Sequence, residues 1–175
     1  MRGIAATLAG SLLIAGLSTL GDFIWATWIP RHLVVYGLAH GALLFGAIGL
    51  VLGVLAGRPW AGAIAGGAIG AGAAAAFYLL SPLAGFSAMF VVWVGGWMAL
   101  AVLYARVSGR RHVNGVVLAR GALAAAASGL AFYSISSIWR PFNPEGWDYA
   151  VHFAAWAAAY FPGFAALLLA RRPAA

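Results

Sequence analysis

The sequence predicts an all-α fold: a polytopic membrane protein built as one six-helix transmembrane bundle, with the N- and C-termini cytoplasmic. Three observations predict it. Of the 175 residues, 65% are hydrophobic and only 7% charged, far below the roughly 25% that a water-facing surface uses. Apolar stretches recur at about the 20-residue length that crosses a bilayer. The few charges between those stretches separate by sign and by side.

The spans read as approximately 3–24, 33–56, 60–80, 84–105, 115–138 and 147–170, all within one domain covering 1–175. Met1-Arg2 followed by an apolar run has the look of a signal peptide, but it is read as a retained first span. Trp28-Ile29-Pro30-Arg31-His32 separates the first two spans, and Gly57-Arg58-Pro59 the second and third. Ser81-Pro82 predicts a tight turn before the fourth span. Ser108-Gly109-Arg110-Arg111-His112 follows the fourth span, and Arg140-Pro141-Phe142-Asn143-Pro144 precedes the sixth. Proline and glycine thus sit at the joints, where helices end.

Orientation follows from arginine, the sole Lys/Arg type present. With six spans, Arg2, Arg58, Arg106, Arg110, Arg111, Arg120, Arg171 and Arg172 share one side, and only Arg31 and Arg140 lie on the other. Positive charge collects on the cytoplasmic side, so that side holds both termini. All three acids, Asp22, Glu145 and Asp148, fall on the opposite side. The net charge of +7 is therefore a topology signal, and no nucleic-acid partner is expected. Cysteine is absent, which excludes disulfides, thiolate nucleophiles and cysteine metal sites. The localisation expected is a prokaryotic cytoplasmic (inner) membrane.

Small residues mark the close contacts. Gly62, Gly66 and Gly70 recur every four residues in the third span, and Gly37/Gly41 and Gly49/Gly53/Gly57 do so in the second. That spacing lets helix backbones approach one another, within the chain or against a second copy or partner membrane subunit. In the fourth span Phe86, Phe90, Trp93, Trp97 and Tyr104 form one stripe. Trp93 and Trp97 lie mid-span, away from the interfacial belts where tryptophan concentrates, so the stripe either packs in the core or lines an apolar cavity. Trp25, Trp28, Trp139 and Trp147 read as outer-belt residues, and Trp60 as an inner one.

Two polar stripes remain. Thr7, Ser11, Ser18 and Asp22 share one face of the first span. That face should turn inward, because lipid offers hydroxyls no partner, although such hydroxyls also bond back to their own helix carbonyls. In the sixth span Glu145, Asp148, His152 and Trp156 share a narrow face, and His40 in the second span lies eight residues beyond His32. Asn143-Pro144-Glu145 and Asp148 also form a helix-start signature. His40 and His152 are ionisable groups inside spans, which are costly and mark function. With Asp148 near one outer cleft they could bond a polar headgroup, relay a proton or hold a metal, while Asp22 reads as lying near the outer headgroup level. Asp22 also has Arg31 and Arg140 as possible partners. Pro162, inside the sixth span, should kink that helix. No G-x-S-x-G, H-E-x-x-H or phosphate loop is present.

Several local stretches resemble the Insig (insulin-induced gene) family and its prokaryotic relatives. Gly57-Arg58-Pro59-Trp60 is similar to that family's turn after the second span, and Tyr160-Phe161-Pro162-Gly163 to its sixth-span aromatic-proline step. Tyr133-Ser134-Ile135-Ser136-Ser137 and Asn143-Pro144-Glu145 resemble its tyrosine-rich fifth-span end and the turn beyond. The resemblance implies a compact six-span protein that binds sterol or diacylglycerol in a bilayer-facing cavity, and it adds Tyr133 to the site. It departs at Leu80-Ser81-Pro82-Leu83-Ala84, which lacks the aspartate that supports partner binding in the eukaryotic family. It therefore carries over lipid binding and not sterol-regulatory partnering.

The function expected is non-enzymatic: an integral membrane protein holding a lipid or amphipathic small molecule between its helices. No cofactor is expected besides bound lipid. The candidate ligand-binding residues are Asp22, His40, Trp93, Trp97, Tyr133, Asp148, His152 and Trp156. The alternatives are an accessory subunit of a larger membrane complex, or a small transporter or intramembrane enzyme using the outer-side His and Asp residues.

Overall fold

The computed structural model describes residues 2–28, 33–110, 112–138 and 144–169, with the backbone alone at 2, 25, 26, 28, 33, 86 and 132–138. Among these residues six α-helices follow in order: α1 (Arg2–Trp28), α2 (Leu33–Leu55), α3 (Pro59–Ala84), α4 (Ala88–Val107), α5 (Gly115–Ile138) and α6 (Asp148–Leu168), with a 3-10 turn at Gly85–Ser87 between α3 and α4. Among the described residues there is no strand. Helices α1, α2, α3, α4 and α6 are long and apolar enough to cross a membrane, and the apolar stretch of α5 with described side chains, Gly115–Ala131, is shorter. Large apolar side chains face outward, among them Leu12, Leu43, Ile64, Leu79 and Leu83, as expected where the surrounding medium is hydrocarbon.

The joints follow from local chemistry. Gly57 adopts φ +73° after α2, and Arg58 N–H bonds the Gly53 carbonyl at 2.7 Å, a left-handed glycine cap. Pro59 then opens α3, where its missing N–H costs nothing. Gly109 ends α4 in the same way, with φ +82° and Arg110 N–H on the Ala105 carbonyl at 3.0 Å. Asn114 starts α5, its Oδ1 accepting from Val117 N–H at 3.2 Å.

One expected boundary is corrected. Ser81-Pro82 is no turn: both residues lie inside α3, which continues to Ala84. Pro82 cannot donate to the Tyr78 carbonyl, and Ser81 Oγ reaches that carbonyl instead, at 3.4 Å. The helix breaks three residues later at Gly85, φ +56°, so α4 starts at Ala88 and not near 84.

Around the bundle the helices run α1, α6, α5, α4, α3, α2, and α2 also touches α4. The most intimate pair is α2 with α3. Gly62, Gly66 and Gly70 are buried against the Gly49, Phe45 and Gly41 carbonyls. A Cβ on Gly41 would stand 2.7 Å from the Gly70 carbonyl oxygen. The glycine stripe of the third span is thus occupied within the chain. By contrast α1 touches α2 only lightly and packs chiefly on α6. The core between them includes Ile14, Ile48, Leu52, Trp97, Leu100, Tyr160 and Phe164.

Candidate functional site

The inward face predicted for α1 is buried: Thr7 and Ser18 are 0% exposed and Ser11 2%. Ser11 Oγ bonds back to the Thr7 carbonyl at 2.7 Å, the self-satisfying pattern expected of spans. Ser18 does otherwise, reaching across to the Tyr160 hydroxyl on α6 at 3.2 Å. The Thr7 hydroxyl has no partner among the described residues.

One turn beyond Ser18, Asp22 forms the centre of the site. Its Oδ2 accepts from His152 Nδ1 at 2.7 Å and from Trp156 Nε1 at 2.7 Å. His152 is 1% exposed, whereas the Asp22 side chain keeps 19% of its surface open. The spacing of four between His152 and Trp156 puts both donors on one face of α6, and the antiparallel α1 supplies the acceptor. Both α6 side chains thus converge on one carboxylate oxygen.

Aromatic rings surround this centre. Trp156 stacks on Tyr160 with centroids 5.8 Å apart, and on Trp93 at 6.5 Å. Trp93 Nε1 donates to Ser128 Oγ at 3.2 Å, and Ser128 donates to the Ala159 carbonyl at 2.5 Å. That relay ties α4, α5 and α6 together behind the site. On the α2 side, the His40 ring lies against Gly21 and stacks on Tyr36 at 5.6 Å. The Tyr36 hydroxyl donates to the Gly21 carbonyl at 2.5 Å.

The structure therefore brings together Asp22, His152, Trp156 and Trp93, with His40 beside Gly21, the residue before Asp22. It sets two other candidates apart. Asp148 turns back to accept from Glu145 N–H at 3.1 Å at the exposed start of α6, which is helix-start chemistry. Trp97 is 2% exposed; its indole lies on Gly163 and edge-on to Phe164 at 6.1 Å, filling a notch. The Tyr133 side chain lies outside the described residues, as do Arg31, His32, Trp139, Arg140 and the side chains of Trp25, Trp28, Phe86 and Ser134–Ser137. Phe90 points outward, 51% exposed. With Ser87, Val91, Gly129 and Leu130 it lines a shallow open groove of about 500 Å³ between α4 and α5. No three His, Asp or Glu side chains among the described residues converge closely enough to hold a metal ion.

No family model matches the chain, and no curated protein or solved structure does. The site's own geometry is therefore what carries its reading.

Sequence reasoning missed Tyr36, Ser128 and the role of Tyr160. Tyr36 was within reach, since it lies one turn before His40. Ser128 is a hydroxyl at the end of an alanine run, and a polar group in an apolar helix needs a partner inside the protein.

Proposed function

We propose that this chain is a non-enzymatic integral membrane protein that binds the polar head of a lipid or similar amphipathic molecule at the Asp22–His152–Trp156 cluster. The observation that carries the reading is a carboxylate in an apolar helix, gripped by an imidazole and an indole yet still partly open. Ionisable groups at membrane depth are expensive and persist where they work. The ligand class implied by the Insig-like resemblance, a diacylglycerol- or sterol-like molecule, suits this chemistry. A hydroxyl can meet the carboxylate–imidazole pair while an apolar body lies along the aromatic wall.

Native mass spectrometry of the gently extracted protein tests this reading, because a retained lipid would be identified by its mass. His152→Ala is expected to weaken lipid retention roughly tenfold, the equivalent of about 1.4 kcal/mol, and Arg111→Ala on the opposite side should leave it unchanged. Equal retention by the two variants refutes the site. A stoichiometric partner chain in the same spectrum would instead favour an accessory-subunit role. A proton-handling role is the second reading, favoured by the direct His152–Asp22 contact. Proton flux into vesicles containing the protein, lost in Asp22→Asn, would support it.

The membrane setting of this proposal is six spans in a prokaryotic inner membrane with both termini cytoplasmic. The eight-to-two division of arginines supports it. A reporter active only in the periplasm, fused after Ala175, should stay silent; strong signal would overturn the orientation or the span count.

A further inference from the structure

Two kinds of helix contact flank the site. Helices α2 and α3 meet backbone to backbone, with Gly41 and Gly49 against the Gly70 and Gly62 carbonyls. Separating them would expose packed main chain. Helices α1 and α2 meet differently. They touch lightly, and near Asp22 the seam is closed by side chains pressed onto a glycine. The His40 ring fills the notch at Gly21, and the Tyr36 hydroxyl bonds the Gly21 carbonyl. The two rings stack at an interplanar angle of 12°, so they form one plug, both carried by α2. Leu17 and Leu20 on α1 and Val35 on α2, close in sequence to Gly21 and Tyr36, carry exposed apolar surface.

We propose that the α1–α2 seam is the lateral entrance through which an amphipathic molecule reaches Asp22 from the bilayer, and that Tyr36 and His40 are its latch. The proposal rests on reading the Asp22 cluster as a ligand site. Releasing the latch breaks the hydrogen bond from the Tyr36 hydroxyl to the Gly21 carbonyl and swings a stacked pair of rings out of a glycine notch. No backbone-packed helix pair has to part. Gly21 is what makes this possible: any Cβ there would collide with the His40 ring and hold the seam ajar.

The chain contains no cysteine, so a single introduced thiol is a unique reporter. Ser18→Cys places one on the buried face one turn from Asp22, and Ser128→Cys places one behind the α4–α5–α6 relay, far from the seam. Each is labelled with N-ethylmaleimide in detergent micelles, with and without Tyr36→Phe. Removing the hydroxyl should raise the Ser18→Cys labelling rate about fivefold, the factor that an ordinary lost hydrogen bond produces, and leave Ser128→Cys unchanged. His40→Ala, which empties the notch, should likewise accelerate only the Ser18→Cys reporter. Equal acceleration at both thiols, or none at Ser18→Cys with either variant, overturns the latch. Labelling needs no ligand, so a failed latch leaves the lipid-retention result standing, and a failure to find retained lipid leaves the labelling result standing.

Discussion

Asp22→Ala is expected to lower the thermal unfolding midpoint of the detergent-solubilised protein by roughly 10 °C. That corresponds to about 3 kcal/mol or more at the few degrees per kcal/mol typical of a chain this size. The size of the effect comes from geometry. One carboxylate oxygen serves two donors from α6, at 2.7 Å each. His152 is 1% exposed, so its ring has little surface with which to find another partner when the carboxylate goes. An unsatisfied buried donor then costs more than the bond itself contributed. Asp22→Asn keeps the shape and one acceptor, and should lose only about 0.5–1.5 kcal/mol, the net worth of one ordinary hydrogen bond. Thermal unfolding of both variants beside wild type checks the order. An alanine variant as stable as wild type would mean that this cluster does not hold α1 to α6.

Gly70→Ala should destabilise the protein by about 3 kcal/mol, the upper part of the overpacking range, and Gly70→Leu should prevent a monodisperse fold altogether. A Cβ on Gly70 overlaps the Gly41 carbonyl oxygen and comes within 2.7 Å of the Phe45 Cβ. Neither is the far end of a flexible side chain, so relief requires α2 and α3 to separate. Two residues further on, Gly72 has nothing within 4 Å of its Cβ position. Gly72→Ala should therefore be neutral or stabilising by up to about 1 kcal/mol, since glycine in a helix interior costs that much relative to alanine. Opposite signs two residues apart on one helix are the discriminating result. If both variants behave alike, the backbone contact is not what joins α2 to α3.

Much of the architecture was legible because it is local. Gly57-Arg58-Pro59 and Gly109 announce helix ends through φ preference, and the structure places the ends there. Ser81-Pro82 misled because the lost hydrogen bond is replaced by Ser81 itself. The site was half legible. The spacing Thr7, Ser11, Ser18, Asp22 shows a polar face that must turn inward, and His152 with Trp156 shows another. That these faces meet is a matter of helix neighbours, which periodicity does not encode. The same limit applies to the tryptophans. Spacing puts Trp93 and Trp97 on one side of α4, but only the position of Gly163 on α6 reveals that Trp97 fills a notch while Trp93 joins the rings around the site.

The pairing of α1 with α6 also sets a schedule for synthesis. Asp22 and His152 are 130 residues apart, so α1 is completed by a helix synthesised much later. At about 5–20 residues per second, α1 waits on the order of ten seconds before its partner is made. Throughout that interval Ser18 and Asp22 lack the Tyr160, His152 and Trp156 groups that they meet in the finished fold. The α2–α3 hairpin closes long before, since a three-residue turn joins its halves. Nascent chains halted before residue 148 would therefore carry a finished hairpin beside a first helix whose polar stripe still faces lipid.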